Sequence, residues 1–113
     1  DKNFSCPCCG KGGISIPTLM VLEEVRCFFD KPVTINSGAR CVTHNRAVGG
    51  ADKSQHLISD DNPYASGVDI SIKGVEPSTI TAFLEDLPYA NLLGIVEYSS
   101  WVHVDTRGYP ARW

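Results

Sequence analysis

Gly94-Ile95-Val96-Glu97-Tyr98-Ser99-Ser100-Trp101-Val102-His103-Val104-Asp105-Thr106 is the stretch on which the fold turns. Residues 94–98 and 101–106 are rich in β-branched and aromatic side chains, and Ser99-Ser100 between them suits a tight turn. A helical crossover between parallel strands takes about a dozen residues or more, so two strands this close pair antiparallel, as a hairpin. Upstream, residues 67–72 set Val68, Ile70 and Ile72 against Asp69 and Ser71. That alternation predicts a half-buried strand with Asp69 turned away from the apolar face. Residues 33–36 are short and β-branched and predict a further strand, closed by Ser37-Gly38.

Helical spacing fills the gaps between strands. After Pro17, which suits a first helical turn, Leu19, Leu22, Val25, Phe28 and Phe29 form one stripe, predicting an amphipathic helix that ends near residues 30–32. Residues 42–47 predict a brief helix. Ser78 is a suitable cap for a helix from 79 to about 87, with Ile80, Phe83, Leu84 and Leu87 on one face and Pro88 stopping it. Residues 48–65 hold Gly49-Gly50 and Asp60-Asp61-Asn62-Pro63 and predict a long loop, the kind of segment that is often functional. Residues 1–14 are Cys- and Gly-rich and predict a stapled N-terminal loop. The expected class is α+β: a single domain over residues 1–113, an antiparallel β-sheet with helices packed on one face.

Bulk properties narrow the function. A chain of 113 residues fits one core. The net charge of -3 lacks the dense basic patch that drives binding to a phosphate backbone, which argues against nucleic acid as a partner. No apolar run is long enough for a membrane span. Asp1-Lys2-Asn3-Phe4 shows neither the basic nor the apolar part of a secretory leader. A monomer is expected.

Three potential metal ligands stand at or within expected elements: His56 in the long loop, Asp69 in one strand and His103 in the last. Two neutral imidazoles and a carboxylate suit Zn2+, and three protein ligands leave a fourth position for water, as in a catalytic site. In His103-Val104-Asp105, period two puts both polar side chains on one side of the strand, so Asp105 can orient His103 or contact a substrate. Separations this long form no local motif, and each residue alone reads equally as solvated surface.

The order of motifs adds to this. Ser37-Gly38-Ala39-Arg40, residues 43–51 (Thr-His-Asn-Arg-Ala-Val-Gly-Gly-Ala), Ser54-Gln55-His56, residues 65–70 and Trp101-Val102-His103-Val104-Asp105-Thr106-Arg107 together resemble the M15 family of zinc peptidases, especially its short D-Ala-D-Ala carboxypeptidase-like branch. The resemblance runs from about Ile16 to Trp113. It implies a fold shared with the peptidoglycan-cutting LAS peptidases and with the hedgehog signalling domain, zinc held by His56, Asp69 and His103, and peptidoglycan stem peptides as substrate. Arg40 matches the family's substrate-side arginine, whose planar guanidinium can grip a carboxylate or carbonyl. Ser54 and Trp101 fall where substrate contacts are expected, with Tyr98 a further candidate for the cleft lining.

Two departures stand out. Asp69 lies thirteen positions after His56 where the family usually has seven, as if residues 58–63 were inserted. A protruding loop beside the cleft is expected, with Asp60 and Asp61 solvated or shaping substrate choice. The acid that many relatives carry three positions before the last ligand is Ser100 here. Glu97, at the hedgehog-like spacing, is the favoured general base, with Asp105 as the alternative.

The five cysteines, Cys6, Cys8, Cys9, Cys27 and Cys41, cannot all pair within one chain. Cys6-Pro7-Cys8-Cys9-Gly10 resembles a metal knuckle without its second half. Alternatively, Cys41 ties the N-terminal loop to the cleft wall by a disulfide, which would stabilise the domain by about 2–4 kcal/mol and favour an extracytoplasmic setting, the bacterial periplasm or cell wall or a phage particle. Three functions follow: a cell-wall peptidase, a zinc-bearing binding module without turnover, and a cysteine-knuckle interaction domain.

Overall fold

A computed structural model describes residues 4–7, 9–50, 54–59 and 62–113. Cys8 and the Asp60-Asp61 pair, for which roles were expected, lie outside the described residues.

The sheet grows outward from the expected hairpin. β5 (Gly94–Glu97) and β6 (Val102–Asp105) pair antiparallel, and Tyr98 N–H donates to the Trp101 carbonyl at 2.9 Å across the Ser99-Ser100 turn. β4 (Gly67–Ser71) adds antiparallel on the other side of β6, and β2 (Thr34–Ser37) adds antiparallel to β4. Asn36 is skipped in that last ladder: Ile35 faces Ile70, and the next pair is Ser37 with Asp69. One extra residue in one strand is a β-bulge, a device common beside active sites.

The remaining strands depart from the all-antiparallel expectation. β7 (Ala111–Arg112) runs parallel to β5 at the sheet edge, and β1 (Gly13–Ile14) with β3 (Tyr64–Ala65) forms a separate parallel pair. Each of these three strands is two residues long, too short for side-chain alternation to register.

Two helices cover one sheet face. α1 (Ile16–Phe29) starts with Pro17 in its first turn, and ends at Asp30, whose left-handed φ of 53° turns the chain out of the helix. Its buried stripe is Thr18, Val21, Leu22 and Val25, while Leu19 and Phe28 are exposed. The helix is thus rotated from the expected face, because Thr18 is drawn inward by hydrogen bonds to the Ser66 carbonyl and the Thr106 hydroxyl, both 2.8 Å. α3 (Pro77–Glu85) begins two residues before the expected start, with Glu76 as its cap and Pro77 in the first turn. Ile80 and Leu84 from α3 meet Val68 and Ile70 of β4, Ile95 of β5 and Val102 and Val104 of β6 in the main core. Each such side chain contributes about 1.5–3 kcal/mol by leaving water. α2 (Val42–Ala47) lies apart, after the cleft wall. No helix among the described residues is long and apolar enough to cross a membrane.

A second, smaller core of Cys6, Ala39, Ile58 and Ala65 joins the N-terminal loop to the segments beside the site. The described ends of the 58–63 insertion are anchored here. Ile58 is buried in this cluster, and the Pro63 carbonyl accepts Gly13 N–H at 3.0 Å.

Candidate metal centre

Cross-strand register brings two of the three candidate ligands together. Asp69 of β4 pairs directly with His103 of β6, on the sheet face opposite the apolar pairs Val68–Val104 and Ile70–Val102. His56 arrives on a loop clamped by backbone bonds: Arg40 N–H to the His56 carbonyl (2.7 Å), Ile58 N–H to the Arg40 carbonyl (2.9 Å) and Gly67 N–H to the Gln55 carbonyl (2.9 Å). Ser54 Oγ accepts His56 N–H at 3.1 Å and tightens the turn.

All three side chains are buried, and their inner atoms converge. Asp69 Oδ1 stands 3.2 Å from His56 Nε2 and 3.0 Å from His103 Nδ1, and the two ring nitrogens are 3.3 Å apart. The outer ring nitrogens fix the tautomers. His56 Nδ1 is 2.7 Å from the Gly38 carbonyl and His103 Nε2 is 2.8 Å from Asp105 Oδ2, both acceptors, so in the neutral imidazoles those nitrogens carry the protons. Each neutral ring then presents its lone pair to the shared centre.

These donors fit zinc. A tetrahedral ion with bonds of about 2.0–2.1 Å spaces its ligands about 3.3 Å apart, close to the separations found. His56, Asp69 and His103 form a group that could hold a metal ion.

Charge in the site is strongly coupled. Burial works against ionisation of Asp69, but once the rings are protonated and carry a proton on the inner nitrogens as well, hydrogen bonds from His103 and His56 outweigh it and hold the carboxyl well below the usual carboxylate range. For His103, burial opposes the cation, yet hydrogen bonds to Asp105 and Asp69 raise its pKa above the ordinary value. Asp105 is fully buried, and there too burial is outweighed, by hydrogen bonds first from Arg107 and then from His103.

Arg107 is a site residue to which no role was given in advance. Its Nε and Nη2 grip Asp105 Oδ1 and Oδ2 at 2.7 Å each, a bidentate pair directly behind His103. Space for the pair comes from glycine: Asp105 is flanked by Gly67 on β4 and Gly94 on β5. A Cβ on Gly94 would lie 2.6 Å from both Asp105 oxygens. Glycine facing an acidic strand position from both sides was the available signal.

The ligands open into a cleft of roughly 470 Å³. Arg40, Ser54, Tyr98 and Trp101 line it, joined by Gln55, Arg107 and Trp113. Arg40 is braced by Ser37 Oγ and Asn45 Oδ1, both at 3.3 Å, with Nη2 3.8 Å from Asp69 Oδ2. Tyr98 and Trp101 stack at 4.7 Å, and the Arg107 guanidinium lies 4.6 Å over Trp113, delivered by β7.

Both expected bases are displaced. Glu97 pairs with Val102, whose side chain enters the main core, whereas His103 pairs with Val96. Glu97 therefore belongs to the opposite face and does not line the cleft. Asp105 is on the correct face but behind His103, with its oxygens held by His103 and Arg107, and it does not line the cleft. Among the described residues lining the cleft, Asp69 is the one carboxylate.

Among curated proteins, none matches the chain. The family model described as Peptidase M15 matches residues 3–105, a span that takes in all three converging side chains, Arg40 and the Asp105 support. With most of its length so matched, and with an α+β fold consistent with that family, the chain belongs to the peptidase M15 family.

Proposed function

We propose that the protein is a zinc metallopeptidase that hydrolyses peptidoglycan stem peptides, as a D-Ala-D-Ala carboxypeptidase or a cell-wall endopeptidase, in an extracytoplasmic setting. The observation that supports it most is the convergence of His56 Nε2, Asp69 Oδ1 and His103 Nδ1 in a chain of the peptidase M15 family. When bound, zinc supplies Lewis-acid polarisation of an amide carbonyl and acidifies water. The chain's own residues do the rest. Asp105, locked by Arg107, holds His103 with its Nδ1 lone pair inward, and Gly38 does the same for His56 through its carbonyl. Arg40, on the cleft lining, would take a substrate carboxylate or carbonyl by paired hydrogen bonds. Ser54 shapes the His56 turn, while the Tyr98–Trp101 stack forms an apolar wall against which the peptide lies.

Purified protein loaded with zinc should release D-Ala from, or split, defined stem peptides. Activity should vanish with chelator and return with zinc. A second reading, a zinc-bearing cell-wall binding module without turnover, is favoured by the single cleft carboxylate among the described residues. Intact stem peptides after prolonged incubation, with zinc-dependent binding to peptidoglycan, would establish that second reading instead.

A further inference from the structure

We propose that Cys6, Cys9 and Cys41 form a second, structural metal site for a thiophilic divalent cation such as zinc, clamping the N-terminal loop to the cleft wall. Their three sulfurs lie within 4.8 Å of one another, with Cys6 buried, Cys41 half-buried and Cys9 exposed. Thiolates around one tetrahedral zinc, with bonds of about 2.3 Å, stand about 3.8 Å apart, so a small inward shift suffices. The loop has the form such a site requires. Cys6 N–H donates to the Lys11 carbonyl at 2.8 Å and Gly10 N–H to the Cys6 carbonyl at 2.7 Å. The Gly10 N–H bond closes a turn over residues 6–10 that sets Cys9 beside Cys6, and the left-handed φ of 72° at Gly10 directs the chain on to Lys11.

The sulfurs receive amide donors. Cys41 N–H points to Cys6 Sγ and His44 N–H to Cys41 Sγ, each at 3.4 Å. A disulfide would use two sulfurs and leave the third crowded against it; a metal uses all three.

The site's position gives it a purpose. Ala39 N–H donates to the Phe4 carbonyl at 2.7 Å, and a Cβ on Gly38 would meet the Phe4 backbone at 2.7 Å. The cysteine loop thus buttresses the segment whose Gly38 carbonyl holds His56, whose Arg40 lines the cleft, and which continues directly into Cys41.

The test reads metal rather than turnover, so it stands apart from the peptidase assignment. Full-length protein exposed to zinc and freed of excess should hold two zinc ions per chain. One should remain in Cys6→Ser or Cys41→Ser, one in the His56→Ala/His103→Ala double variant, and both in Cys27→Ser, a cysteine outside the cluster. Cobalt-loaded wild type should show a near-ultraviolet thiolate-to-cobalt charge-transfer band that persists in the double histidine variant, a readout that needs no cysteine variant to fold. A single zinc that disappears with the two histidines, a cobalt form without that band, or cysteines recovered as a disulfide from zinc-loaded protein would each overturn the proposal.

Discussion

The two halves of the site are held by different physics. Asp69 and His103 stand on adjacent central strands, where backbone pairing sets one residue against the other and the main core packs beneath. His56 and Arg40 stand on loops, held by individual backbone bonds and a core of four small or medium side chains. The strand half is fixed by a pattern that extends over many residues. The loop half depends on single contacts, so it should be the first to loosen when the protein is perturbed.

Removing a strand-borne ligand should have the largest effect. His103→Ala or Asp69→Asn should abolish stoichiometric zinc at this centre and with it turnover, measured by metal analysis and peptide release; retention of both would refute the assignment. Next, the halves should separate in stability. Ile70→Ala, which opens a cavity in the main core, should cost about 2–5 kcal/mol in urea unfolding, and Ile58→Ala in the loop-side cluster about 2 kcal/mol or less. Zinc affinity should nevertheless fall more for Ile58→Ala, since the Ile58 side chain packs on Ala39 in the small core that seats the segments carrying Arg40 and His56. Equal affinity losses would erase the distinction drawn between the halves.

Asp105→Asn should then lower zinc affinity or activity about 10- to 100-fold, as expected for a group that orients a ligand. Its folded structure should be retained, as checked by circular dichroism. A smaller effect concerns pH in the chelated protein. The raised pKa of His103 means that its contribution to stability is complete below its unfolded value of 6.5 and is lost as pH rises through the folded value. The lowered pKa values of Asp69 and Asp105 give contributions present above their unfolded value of 3.8 and lost as pH falls through the folded values. The zinc-free melting temperature should therefore peak between these ranges, whereas zinc, which requires unprotonated imidazoles, should stabilise increasingly as pH rises. A zinc-free melting temperature that climbs steadily through neutrality would contradict the coupling of His103 to its two carboxylates. Least of all, Glu97→Gln should leave turnover unchanged; a large loss would mean that the hairpin register differs from the one described.

How much of this was legible in the sequence depended on how far a pattern repeats. Val68-Asp69-Ile70 shows the alternation that puts Asp69 on the cleft face, and Ile80, Leu84, Leu22 and Val25 show the spacing that builds the core. The three ligands came from motif order rather than periodicity, because their separations carry no local signal. The two-residue strands were invisible for want of length, and with them the route by which Trp113 reaches the cleft. Glu97 stands away from the cleft for a different reason. Across the two-residue turn at Ser99-Ser100, facing residues pair Val96 with His103, leaving Glu97 on the other face. Spacing along the chain alone does not carry the parity that the turn imposes.

The skipped residue in β2 sets the kind of change that this wall tolerates. Because Asn36 stands outside the ladder, Ser37 faces Asp69, and the chain leaves the strand toward Gly38 and Arg40 in the correct phase. Side-chain replacements at Asn36 keep that phase, whereas removing the residue would rotate every following position by half a period. Families of variants should therefore drift freely in chemistry at this point while remaining fixed in length.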